Sequence, residues 1–166
     1  MDYFSTTGEA MSQYQYCGEF FNDDDDLKSE HDGEEKIWGT TRVIFSAQRY
    51  SKHYLCVKAN SYCSLHYHEH RANDFELIKG KVEVISFYGP LIKKNVLTAG
   101  NKLTIPSLVP HIFFAHEDSI MTEEYHADRG HDAIHESDIV RIMNGGKDTY
   151  EGMLKTVGDL FAFLEW

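Results

Sequence analysis

The sequence predicts an all-β domain, a sandwich or barrel of short strands, followed by one C-terminal helix. Two patterns predict it. From Trp38 onward, runs rich in β-branched and aromatic residues, each about a strand long, alternate with turn residues. In the last twenty residues, apolar side chains recur at helical spacing instead.

The first 36 residues are set apart as an N-terminal arm. Residues 22–36, NDDDDLKSEHDGEEK, carry eight acidic side chains and almost nothing to bury, so they are expected to form a flexible, solvated loop. The alternating ligands and central glycine of a helix-loop-helix calcium site are missing. An aromatic stretch, YQYCGEFF at 14–21, is suited to covering the edge of a sheet.

Residues 37–143 hold the strands. The runs are TTRVIFSA, HYLCVKA, FELIKG, KVEVISFYG, KKNVLTAG, NKLTIPS, HIFFAHE and SIMTEEYH, with Gly80, Gly89-Pro90, Gly100-Asn101 and Pro106 where turns belong. Many short strands at regular intervals indicate a sandwich or barrel. Residues 144–166 form the final unit: after Gly145-Gly146, Met153, Leu154, Val157, Leu160, Phe161 and Leu164 mark one face of an amphipathic helix.

Composition narrows the function. A net charge of −11, with lysines and arginines scattered, opposes binding to phosphate backbones, so nucleic acid is not an expected partner. No apolar window approaches the roughly 18–20 residues of a membrane span, and the N-terminus lacks the pattern of a secretory signal, so a soluble cytoplasmic protein is expected. Cys17, Cys56 and Cys63 form no paired motif and are read as reduced thiols.

The chemistry concentrates in SYCSLHYHEHRANDFELIKGKVEV, residues 61–84. On a strand, His66 and His68 share a face and form a chelating pair, with His70 added only if the strand continues. A third ligand must come from another strand, and His111, where an apolar run resumes after Pro110, is the candidate.

His66-Tyr67-His68, then Asn73, then Gly80 resembles the first motif of the cupin superfamily, and LTIPSLVPHIFFA resembles the second, which ends in the last metal ligand. More narrowly, SLHYHEHRANDFELIKGKVEV, IPSLVPH, SDIVRI and the entry KIWGTTRVIFSAQRYSKHYLCVKANS are similar to the C-terminal cupin module of type II mannose-6-phosphate isomerases, over about residues 37–142. The resemblance implies a cupin double-stranded β-helix, or jelly-roll barrel, holding one divalent metal ion, whether zinc, manganese, nickel or iron. It places His66, His68, Asn73 and His111 in the ligand positions, Glu124 on an acidic strand facing the pocket, and Arg141 at the arginine of the family's third segment. Four departures stand out. His66 replaces a glutamine usual in that module, Asn73 replaces the ligand carboxylate, Leu108 replaces the glycine of the second motif, and the module's D-x-YGR continuation is absent after Arg141.

The expected activity is therefore isomerisation or epimerisation of a sugar or sugar phosphate. Glu124 is the expected base, with Glu123 the alternative if the register differs by one, and Arg141, or less favourably Lys52 or Lys58, the phosphate group's partner. Two other classes fit the same motifs: a non-haem iron cupin oxygenase, and a non-catalytic carbohydrate-binding or assembly protein. His31, His53, His116, His131 and His135 are expected on the surface, whereas His126 shares a face with Glu124. A homodimer through outer strands is the expected assembly.

Overall fold

The computed structural model describes residues 34–133 and 137–164. All eight strand-like runs form strands; several present one face to the core and one to solvent, whereas residues 82–87 and 111–115 are buried on both faces. The elements are β1 (Glu34–Lys36), β2 (Gly39–Ala47), β3 (Tyr50–Val57), β4 (Ser61–Tyr62), β5 (Leu65–His68), β6 (Arg71–Lys79) and β7 (Val82–Tyr88). They continue with β8 (Leu91–Leu97), β9 (Lys102–Ile105), β10 (His111–Ala115), β11 (Ser119–Ala127), β12 (Ile139–Met143) and β13 (Gly146–Lys147). A single helix, α1 (Tyr150–Leu164), closes the chain. The acidic loop and the 14–21 stretch lie outside the described residues, apart from Glu34–Lys36, which forms β1.

Two antiparallel sheets face each other. The first has the order β1-β2-β3-β11-β6-β9. In the second, β10 is central: β4 and β5 pair along one side of it and carry β13 and β12 beyond them, while β7 pairs along the other side and carries β8. Among the described residues, strand β8 pairs only with β7, and Leu91, Ile92 and Val96 on it are exposed. This is the jelly-roll arrangement of a cupin barrel.

The inner faces supply the core, with Leu55, Val57, Leu65, Phe75, Leu77, Val84 and Phe113 buried between the sheets. At Gly80 (φ 97°), between β6 and β7, an added Cβ would lie 2.6 Å from the Asp118 carbonyl oxygen, so the turn requires glycine. Helix α1 starts at Thr149, whose hydroxyl accepts from the Gly152 amide at 3.1 Å. Its Met153 and Val157 are buried against the second sheet, where Phe161 meets Phe87 (4.6 Å between ring centres) and Tyr150 meets Phe114 (5.3 Å). Among the described residues, no helix is long and apolar enough to cross a membrane.

The first sheet is also buried on part of its outer face, where Tyr54, Cys56 and Ile120 form a second cluster. Cys56 is disulfide-bonded, which corrects the expectation of reduced thiols at that position, while Cys63 is free and buried.

Candidate metal centre

Strand β5 points His66 and His68 to the barrel interior, and His111 of β10 stands directly opposite His66 in the ladder. All three are buried, His111 to 2% exposure, and their candidate ligand atoms lie within 4.8 Å of one another. His70 does not join them: β5 ends at His68, and His70 stacks on His131 at 3.7 Å between ring centres.

The other nitrogen of each ring is occupied. His66 Nδ1 meets the Ser64 carbonyl at 2.8 Å, His111 Nδ1 meets the Val109 carbonyl at 2.9 Å, and His68 Nδ1 meets Asp138 Oδ1 at 3.0 Å. Nε2 is therefore the nitrogen each ring keeps for the centre, and on His68 it has no hydrogen-bond partner. Burial holds all three imidazoles below their ordinary range, His111 at about 4 and His66 well below 6.5, and the neighbouring imidazoles add to the effect on both. A neutral imidazole is the form that ligates a metal.

Asn73 reaches the same centre from the opposite sheet. It is 1% exposed, and its Nδ2 lies 3.4 Å from His111 Nε2. Its Oδ1 and His68 Nε2 are both buried without a hydrogen-bond partner. Orphaned acceptors of this kind are costly, and a bound cation would satisfy both; a half-turn of the amide presents the oxygen to it. The donor set of three imidazoles and one amide oxygen thus fits a divalent ion of the zinc, manganese, nickel or iron type.

A cavity of about 400 Å³ reaches this centre at His66, with His53, Glu123, Tyr125, Arg71 and Arg141 also among its lining residues. Arg141 pairs with His66 in the β5–β12 ladder and lines the cavity. Glu124 does not. It projects from the outer face of β11, 3.3 Å from Lys52 Nζ and 3.6 Å from His126 Nε2, so the expectation that it faces the pocket is corrected. His126 lies outside with it, 2.9 Å from Asp74, which likewise points away from the cavity.

The inward carboxylate is Glu123, 7% exposed. Burial pushes it up to about 7 against an ordinary 4.5, and the Tyr125 hydroxyl, hydrogen-bonded to it, draws it partly back. His53, expected on the surface, also lines the cavity, and burial lowers it to about 4. Lys52 is held on the outer face by Glu124. Sequence reasoning missed Arg71 and Asp138, although both stand within the quoted motifs: Arg71 Nε donates to Asp138 Oδ1 at 2.6 Å, and its guanidinium lies 4.5 Å over the Tyr125 ring.

The family model described as "Mannose-6-phosphate isomerase C-terminal" matches residues 22–144. The chain belongs to this family. No curated protein matches its sequence. Among solved structures, KdgF from Halomonas sp. is similar with a TM-score of 0.54 at 18% identity, covering 61% of this chain and 92% of that one. Oxalate decarboxylase from Bacillus subtilis at pH 4.6 gives 0.58 at 16% identity, covering 69% and 30%. A structure from a study of the Mn(II) centers of that decarboxylase gives 0.53 at 15% identity, covering 61% and 30%. This chain thus spans under a third of the decarboxylase. These likenesses establish the cupin fold of this mannose-6-phosphate isomerase C-terminal family member.

Proposed function

We propose that this chain is a metal-dependent cupin isomerase or epimerase acting on a sugar or sugar phosphate. The observation that carries the reading is the convergence of three buried imidazoles, of which His66 lines a cavity whose wall also holds a buried carboxylate poised near neutral pH, Glu123. His66, His68 and His111, with Asn73, would hold one divalent ion, which supplies Lewis-acid stabilisation to a carbonyl oxygen and its neighbour.

The chain's own residues supply the remainder. In an isomerisation Glu123 takes the proton from the carbon beside the carbonyl and returns it to the former carbonyl carbon while the hydroxyl hydrogen passes to the carbonyl oxygen, and a carboxylate near 7 is matched to both halves of the carbon exchange. Tyr125 holds Glu123 by its hydroxyl. Arg141, which has no ion-pair partner among the described residues, binds a phosphate or hydroxyl group at the cavity wall. Glu123 takes over the role that the sequence assigned to Glu124.

One observation favours a second reading. Three histidines and an asparagine form a neutral donor set, which suits a non-haem iron cupin oxygenase. The experiment that separates them is elemental analysis of the purified protein followed by assay on aldose and ketose phosphates. Zinc, manganese or nickel near one per chain, with turnover lost in Glu123→Gln, supports the isomerase. Iron with oxygen uptake supports the oxygenase, and a protein that takes up no metal after supplementation is a non-catalytic binding or assembly module. A homodimer belongs to the proposal, supported by the edge that β8 forms among the described residues, and sedimentation returning a monomer mass would remove it.

A further inference from the structure

Rings that converge through Nε2 need Nδ1 tied down, and this barrel does so in two ways. His66 and His111 each turn Nδ1 onto a carbonyl two residues back in the chain. A carbonyl only accepts, so the shorter contact of each ring calls for hydrogen on Nδ1; the Ser64 hydroxyl, 3.0 Å from His66 Nδ1, can turn its own hydrogen elsewhere. His68 instead depends on a side chain seventy positions away, Asp138.

His68 and Asp138 are each 3% exposed at the side chain. Asp138 is itself held on every side. Its Oδ1 accepts from Arg71 Nε at 2.6 Å and Arg71 Nη2 at 2.5 Å, and its Oδ2 accepts from the His70 amide at 2.8 Å. Arg71 is anchored in turn, Nη1 donating to the Ala133 carbonyl at 2.8 Å and the guanidinium lying over Tyr125.

Two arrangements are open to His68, because Arg71 Nη2 also lies 3.3 Å from its Nδ1. If Nδ1 accepted from Arg71, its lone pair would face the Asp138 oxygen at 3.0 Å, acceptor against acceptor. The hydrogen would then sit on Nε2, which is buried and has no acceptor. Each of those defects is costly. If Nδ1 carries the hydrogen, it donates to Asp138, Arg71 keeps its other bonds to the carboxylate, and Nε2 presents a lone pair.

We infer that Asp138 is a positioning residue: it fixes His68 as the Nδ1–H tautomer and aims its Nε2 lone pair at the centre shared with His66 and His111, while Arg71 holds the carboxylate in place. The inference rests on reading the three histidines as a metal site.

The test begins with metal-free wild-type protein carrying ¹⁵N-labelled histidine, using long-range ¹H–¹⁵N correlation to read each tautomer. All three rings are expected as Nδ1–H. In Asp138→Ala the His68 population shifts toward Nε2–H while His66 and His111 stay unchanged, and affinity for zinc(II) alone, measured by chelator competition, falls about 10–100-fold. In Arg71→Met, His68 keeps its tautomer, because the competing donor is gone. Wild-type His68 observed as Nε2–H overturns the inference without any variant. A folded Asp138→Ala protein with unchanged tautomer and unchanged zinc affinity overturns it as well. Wild-type protein with His68 as Nδ1–H that binds no zinc supports the tautomer assignment and overturns the metal reading instead.

Discussion

Glu123 and Glu124 are adjacent on one strand and chemically identical, yet they differ in almost every property that matters. Glu123 faces the cavity, buried beside Tyr125, and is pushed up to about 7. Glu124 faces outward between Lys52 and His126, in the wet setting where ion pairs are weak. A strand assigns faces with a period of two, so a single step in register exchanges a buried cavity carboxylate for a surface ion pair. The same contrast separates the buried cluster of His66, His68 and His111 from the half-exposed trio Asp74, Glu124 and His126. The second trio already has an ammonium group beside it.

The largest effect that can break this contrast is on metal content. Replacing both His66 and His111 by alanine is expected to lower affinity by more than about 100-fold, beyond what a supporting residue contributes, as read by elemental analysis after dialysis. Retained metal, lost instead in Asp74→Asn/Glu124→Gln, would move the site to the outer face. Next in size is turnover. Glu123→Gln is expected to lose about 10²–10⁴-fold in kcat, whereas Glu124→Gln leaves it unchanged; equal losses would erase the distinction between the two.

Stability against pH sharpens the comparison further. Glu123 has a folded value near 7, above its unfolded 4.5, so its protonated form favours the fold below about 4.5 and that advantage is lost as pH rises to about 7. Metal-free Glu123→Gln is therefore expected to be more stable than wild type above pH 7 by up to about 3 kcal/mol, and equal to it near pH 4, in urea titrations at both pH values. A gap that did not grow with pH would mean that Glu123 is ionised without penalty. The smallest effect belongs to the outer pair: a double-mutant cycle on Lys52 and Glu124 is expected to return about 0.2–1 kcal/mol, reduced by salt.

The barrel was legible because its strands alternate and its turns carry glycine and proline, and the pairing of His66 with His68 on one buried face was legible because they sit two apart on a strand. The parity of β11 was not. Its inner face runs Met121, Glu123, Tyr125 and its outer face Ile120, Thr122, Glu124, His126, and both begin apolar because the outer surface around Ile120, Tyr54 and Cys56 is also buried. Hydrophobic alternation therefore had no contrast to offer at that strand. The Arg71–Asp138 clasp was hidden for another reason: 67 residues separate the partners, and only the β5–β12 pairing brings them together. At Leu108 the backbone has kept a glycine-like shape, φ 67°, with its amide bonded to the His68 carbonyl at 2.7 Å, so the turn before His111 survives the loss of its glycine.

Strand β8, paired only with β7 among the described residues, has a consequence for how the protein behaves in a tube. Leu91, Ile92 and Val96 would invite further strands onto that edge, and Lys93 and Lys94 stand between them. Lys93 is drawn over the Tyr88 ring at 4.5 Å, which leaves Lys94 as the charge most exposed to an approaching copy. Electrostatic protection of this kind reaches only about 8 Å at physiological ionic strength and less at higher salt. Self-association at that edge is therefore expected to rise with ionic strength, as sedimentation at two salt concentrations would show.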